Sequence, residues 1–299
     1  MKDADDKGAR PGRASLSRRD FAALSAGAGL AVVGGLRAAQ AATGVVATDV
    51  EILTPAGTCD AALVHPSGNG AWPAVIVFPD IFGLRPTMRD MAARLAKAGY
   101  TVLVPNPFYR TTRAPGLGPD FSFDSAADRA HLASLRAPLT NAGVAEDAAA
   151  YVKYLDGLAV VERAAPVGVV GYCMGGAMAL QAAAGVPQRI AAGASFHGGG
   201  LVTDQPDSPH LLVPAVRARF YFGIAASDDA RQPDAKTRLA QAFAAAHREA
   251  RIEVYEGTLH GWCIRDMPLQ AGKPIYDEAA AERAWRELLA LYHQVLVRA

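Results

Sequence analysis

The stretch Val169–Leu180, VVGYCMGGAMAL, decides the reading of this chain. Ahead of it, APVGVV is a short apolar run bounded by proline, the pattern of a buried strand. Behind it, GGAMALQAAA has the composition of a helix. The joint is Gly171-Tyr172-Cys173-Met174-Gly175, a G-x-C-x-G turn that predicts a sharp strand-to-helix reversal with a cysteine at its crest. Side chains two residues to either side would collide with the neighbouring strand and helix, so glycine is expected at both places. The sulfur then stands at a helix N-terminus, whose positive dipole end favours a thiolate.

The same alternation runs outward on both sides. VVATDVEILTP and CDAALVHP read as an opening strand pair with Gly57 at the turn. AWPAVIVFPD, YTVLVPNPF, RIAAGASFHGG, ARFYFGIA and RIEVYEG read as further strands. TMRDMAARLAKAG, SAADRAHLASL, AGVAEDAAAYVKYLDGL, AKTRLAQAFAAAHREA and DEAAAERAWRELLALYHQVLVRA read as helices. Apolar strands interleaved with helices predict an α/β fold, a mostly parallel sheet covered on both faces. Ligands in such folds bind at the carboxyl ends of the strands.

Two more strand ends carry chemistry. GIAASDDARQPDAK offers Asp228 or Asp229 to orient a histidine, with Asp228 nearer the strand; the other is a solvated loop carboxylate. EGTLHGWC puts His260 in the loop after the last strand, with His197 of SFHGGG as its competitor. The other histidines fall in helical stretches (His131, His247, His293) or beside prolines (His65, His210). The chain order Cys173, Asp228, His260 is that of an α/β-hydrolase. Backbone N–H groups of Met174 and of Ile81, in FPDIFG, are the expected oxyanion donors.

The segments GYCMGG, FPDIFGLRPTMRDMAARLAKAGYTVLVPNPF and LHGW resemble the dienelactone hydrolase family of α/β-hydrolases, from about Val45 to the C-terminus. The resemblance implies hydrolysis of a small-molecule ester or lactone through an acyl-cysteine, with no metal or organic cofactor. The family's best-known substrate is dienelactone, a cyclic enol ester bearing a carboxylate. It also implies substrate-binding roles for Asp80, where the family often has glutamate, and for Arg110, matching an arginine that binds the substrate carboxylate. Arg265 is shifted by about one residue from a second such arginine. Phe82, Tyr109 and Trp262 are expected to line the pocket. A general carboxylesterase or thioesterase on the same fold is the alternative, and a non-catalytic exported binding protein the less favoured one.

Composition sets the remaining bounds. The 299 residues are 51% hydrophobic and 20% charged, with a net charge of +1 and scattered basic residues, so nucleic acid is not expected as a partner. No G-x-G-x-x-G follows the first strands, which argues against a nucleotide-binding oxidoreductase. Residues 1–42 read as a cleavable export signal: Ser17-Arg18-Arg19-Asp20-Phe21 resembles the twin-arginine motif, and a modest apolar run and AAQAA follow. That predicts use of the twin-arginine translocation machinery, a periplasmic or secreted location with no membrane anchor after cleavage, and a single domain over residues 43–299. Three cysteines leave at least one free thiol; Cys59 and Cys263 could pair.

Overall fold

The computed structural model describes residues 44–297 apart from 119 and 271; the segment read as an export signal lies outside the described residues. Its eight strands are β1 (Val45–Thr54), β2 (Gly57–Pro66), β3 (Ala74–Phe78), β4 (Thr101–Pro105), β5 (Val167–Tyr172), β6 (Ile190–Phe196), β7 (Arg219–Ala225) and β8 (Ala250–Tyr255). They form one sheet in the order β1-β2-β4-β3-β5-β6-β7-β8. β1 and β2 make a hairpin, and β2 runs antiparallel to β4. From β4 to β8 every pairing is parallel. This is the α/β-hydrolase architecture.

The central strands are apolar throughout because both faces of the sheet are covered. Successive side chains point to opposite faces. Ile76, Phe78, Leu103, Val169, Phe220 and Phe222 pack into one core layer. Their chain neighbours Val75, Val77, Val102, Val104, Val170 and Tyr221 pack into the other. The first layer is closed by α2 (Ala126–Arg136), α3 (Asn141–Asp156), α4 (Met174–Gly185) and α6 (Ala235–Ala245). The second is closed by α1 (Pro86–Lys97) and α7 (Glu278–Leu296). Truncating a fully buried ring such as Phe222 to alanine costs about 3–5 kcal/mol.

Local signals set the helix ends. Pro86 opens α1, and Gly99 just beyond it takes φ +98, open to glycine at little cost. Ser125, Thr140 and Asp277 each accept a backbone N–H at the start of α2, α3 and α7. Gly168 in β5 faces α7: a Cβ there would lie 2.7 Å from Leu296 Cδ1, so the missing side chain lets the helix seat closely.

Three details differ from the pattern read along the chain. The Asp228–Asp229 segment is not a loop but a short helix, α5 (Ala226–Arg231), which continues directly from β7. A 3-10 helix, Pro209–Ala215, carries His210. α6 stops at Ala245, so His247 lies past its end, at φ +53. The three cysteines are free thiols, so Cys59 and Cys263 are not bridged.

Candidate active site

Cys173 stands between β5 and α4 with φ 52 and ψ −118, a conformation costing a non-glycine residue about 1–3 kcal/mol. The surroundings force it. A Cβ on Gly171 would lie 1.8 Å from the Gly175 carbonyl oxygen, and one on Gly175 would lie 2.1 Å from the Phe78 carbonyl oxygen. Backbone bonds fix the crest: the Cys173 N–H donates to Phe196 O at 3.2 Å, and the N–H groups of Gly176 and Gly199 both donate to Cys173 O at 3.0 Å.

The histidine arrives from the end of β8. Thr258 Oγ1 donates to Tyr255 O at 2.7 Å and accepts the Ala226 N–H at 3.3 Å. Ser227 N–H donates to Thr258 O at 3.2 Å, and Ser227 Oγ accepts the His260 N–H at 2.9 Å. These bonds tie the loop after β8 to the first turn of α5. They set His260 Nδ1 2.7 Å from Asp228 Oδ2, while the other Asp228 oxygen accepts from Arg231 at 2.9 Å. Asp229 turns away, with its two oxygens 2.6 and 2.7 Å from Lys236 Nζ.

On its other side His260 shares a cleft lining with Cys173. Burial of the ring disfavours its charge, but the hydrogen bond to Asp228, the neighbouring Cys173 and the charges on both outweigh that and raise its pKa to about 10. The ring is therefore an imidazolium at neutral pH, facing sulfur on one side and carboxylate on the other. His197, at φ +41, sits behind it with ring centroids 5.0 Å apart; burial, then the neighbouring His260 charge, hold its pKa well below the ordinary histidine value.

β3 and β5 are neighbours, with Phe78 opposite Gly171, so the loop after β3 lies beside the elbow. Asp80 shapes that loop. Its side chain accepts the Phe82 N–H at 2.9 Å and its carbonyl accepts the Gly83 N–H at 3.0 Å. The backbone N–H of Ile81, in this turn, and that of Met174, first in α4, have no acceptor among the described residues.

The cleft over Cys173 has a volume of about 420 Å³. Ile81, Phe82, His197 and His260 line it, with Met267–Gln270 and Ile275 on the far wall. The residues expected around the site divide. Phe82 lines the cleft. Asp80 borders it, but its two oxygens accept from Arg85 at 2.7 and 2.9 Å, so its carboxylate is engaged by protein. Arg110 does not reach the cleft lining; α3 captures it, because Asp147 takes its two terminal nitrogens at 2.7 and 3.0 Å. Tyr109 is drawn to the same carboxylate, at 2.6 Å, and to Thr54 Oγ1, at 2.7 Å. Trp262 is 0% exposed and stacks on Tyr255 with centroids 4.8 Å apart. Gly261, at φ +98, turns the chain so that this indole enters the core under the site. Arg265 leans over the Tyr276 ring instead.

Residues 59–296 match the family model described as the dienelactone hydrolase family. A Bradyrhizobium protein named as a probable 2-oxo-3-(5-oxofuran-2-ylidene)propanoate lactonase is 30% identical over 83% of this chain and 94% of its own. Carboxymethylenebutenolidase 1 of Cupriavidus pinatubonensis is 28% identical over 81% of this chain and 96% of its own. The crystal structure of a dienelactone hydrolase-like promiscuous phosphotriesterase from metagenomic libraries superposes with a TM-score of 0.67 at 21% identity, covering 85% of this chain and 100% of that one.

Proposed function

Because the chain belongs to the dienelactone hydrolase family and is a hydrolase of that type, we propose that it cleaves an ester or lactone of a small molecule through an acyl-cysteine on Cys173, with His260 and Asp228 completing the machinery. One observation carries this reading: the His260 ring, 2.7 Å from the Asp228 carboxylate, lines the same cleft as the strained Cys173.

In this mechanism Cys173 attacks as the thiolate, its proton held on His260. The new S–C bond turns the carbonyl oxygen into an oxyanion, which the N–H groups of Ile81 and Met174 stabilise. As the ester C–O bond breaks, His260 gives its proton to the departing alkoxide. A lactone ring opens and stays tethered; a simple ester releases its alcohol. Acylation removes the sulfur charge, and with it two of the influences that raise the His260 pKa. The ring is then neutral and better able to take a proton from water. Hydroxide adds to the thioester, the C–S bond breaks, and the acid leaves with the thiolate–imidazolium pair restored. Asp228 keeps the ring oriented in both half-reactions.

Intact-protein mass spectrometry after brief exposure to activated esters and lactones tests this. The expected result is an acyl adduct on Cys173, absent in Cys173→Ala, together with loss of turnover in that variant. Full activity in Cys173→Ala would refute it. The N-terminal segment around Arg18 and Arg19 supports twin-arginine export to the periplasm or beyond. Fusion of residues 1–42 to a reporter, with and without Arg18→Lys/Arg19→Lys, reads that directly: export that survives the double change would overturn it.

A further inference from the structure

We propose that this site prefers uncharged esters with an extended apolar arm over the carboxylate-bearing lactones implied by the family resemblance. The proposal rests on the reading of Cys173, His260 and Asp228 above and specifies the substrate that machinery takes.

A substrate carboxylate needs a cation to replace its water. Among the described residues, no lysine or arginine lines the cleft over Cys173. Lys273, in the wall segment between Gln270 and Ile275, is exposed and outside the cleft lining, and the arginines nearest to hand are committed. Arg110 is clamped to the buried Asp147 and to Gly143 O. Arg85, whose side chain is 12% exposed, is shared between Asp80 and Asp266, one guanidinium for two carboxylates. It has no positive charge to spare. Arg231 and Lys236 are taken up by Asp228 and Asp229. The imidazolium of His260 is already matched by Cys173 and Asp228. A carboxylate entering here would lose hydration and gain no partner.

The apolar features point the same way. Beyond Phe82, Phe123 and Pro268, which it shares with the catalytic cleft, lies a second lobe of about 360 Å³, walled by Pro115, Leu117 and Phe121, with the paired Arg85 and Asp266 along one side. The two lobes form one trough floored by rings: Phe82 meets Phe121 and Phe123 edge-on, with centroids 5.8 and 6.4 Å apart. At its rim Phe123 is 50% exposed and Leu269 65% exposed, although both are large and hydrophobic. Exposed apolar surface gathered around a cleft marks a place where apolar matter binds. An ester carbonyl held over Cys173 can lay its arm past Phe82 into this second lobe.

The test is a set of kcat/KM ratios on the full-length mature enzyme. The first pair is 4-nitrophenyl hydrogen glutarate against its methyl ester, alike in shape and different in charge. The neutral diester should win by about tenfold or more. The second pair is 4-nitrophenyl octanoate against the acetate. Each methylene removed from water contributes about 0.8 kcal/mol, so even partial burial of the chain should favour octanoate about tenfold or more. Placing a cation on the exposed rim with Phe123→Arg should shrink the first ratio by about fivefold or more. A carboxylate ester hydrolysed as well as its methyl ester, or an octanoate no better than acetate, would overturn the proposal. Turnover that persists in Cys173→Ala would instead strike the mechanism on which it rests, and the two failures are told apart by that one control.

Discussion

Replacing Asp228 by asparagine has an outcome that depends on a neighbour. Asp228 is bonded on both oxygens: one to His260 Nδ1 at 2.7 Å, the other to Arg231 at 2.9 Å. Arginine can only donate. In Asp228→Asn the single amide oxygen is therefore drawn to Arg231, and the NH₂ group falls opposite His260 Nδ1. Two donors then face each other unless the ring becomes neutral with its proton on Nε2, pointing at the sulfur. The wrong tautomer is worth about 10⁴-fold in rate in the serine-protease triad. Loss of the charge alone, a charged hydrogen bond exchanged for a neutral one, is worth about 1–2 kcal/mol, or about 5- to 30-fold. We expect kcat/KM to fall about 10³- to 10⁴-fold in Asp228→Asn. Adding Arg231→Ala frees the amide to turn its oxygen toward His260 and should restore about tenfold or more of the loss. Asp229→Asn, relieved only of Lys236, should stay within about threefold of the parent. The assay is ester hydrolysis on the four proteins, with thermal unfolding as a companion. The folded-state pKa of His260 lies above its unfolded value. Its stabilising contribution is thus complete below about pH 6.5 and is lost as pH rises through about 10. A ring made neutral near pH 7 in Asp228→Asn has lost about three pKa units, which should lower stability near pH 7 by about 4 kcal/mol, and this difference should close above pH 10. An Asp228→Asn enzyme within tenfold of the parent, or an Asp229→Asn enzyme equally damaged, would refute the reasoning.

Two other predictions separate frame from function. Gly175→Ala places a methyl group 2.1 Å from the Phe78 carbonyl oxygen and should cost about 3 kcal/mol or more; Gly199→Ala meets nothing within 4 Å and should leave the melting temperature unchanged within a degree or two. Arg110→Met alone strands the buried Asp147 carboxylate and should destabilise by about 3–5 kcal/mol, whereas Arg110→Met with Asp147→Leu should recover most of that in denaturant unfolding while hydrolysis persists. Loss of hydrolysis in a stably folded double variant would return Arg110 to the substrate.

The legible part of this chain was the part written in local steric rules. The elbow could be read because the collisions that demand Gly171 and Gly175 are between residues four apart and a strand that the apolar pattern already announces. Strand ends could be found the same way, and with them Cys173, the Asp228–Asp229 pair and His260. What stayed hidden depends on partners far along the chain. Arg110 reads as a partner for a substrate carboxylate until α3 brings Asp147, 37 positions later, against it. Trp262 neighbours His260 in sequence, yet the positive φ of Gly261 sends it inward. Ser227 and Thr258 left no mark at all, because they act by one hydroxyl each on backbone atoms of the opposite loop. The pattern around GIAASDD also concealed α5, since six residues are too few for a helical period to show.

The contact of Gly175 with the end of β3 has a wider consequence. It locks the nucleophile's turn and the loop bearing Ile81 into one rigid piece, which tolerates no added atom. The outer walls that meet a visiting molecule, by contrast, are supplied by Pro115, Leu117, Phe121 and Phe123 and by Met267, Pro268, Leu269 and Ile275, outside the strands and α-helices of the described residues. Appetite and machinery are thus built from different material, and an engineer could rewrite the first, one side chain at a time, without disturbing the second.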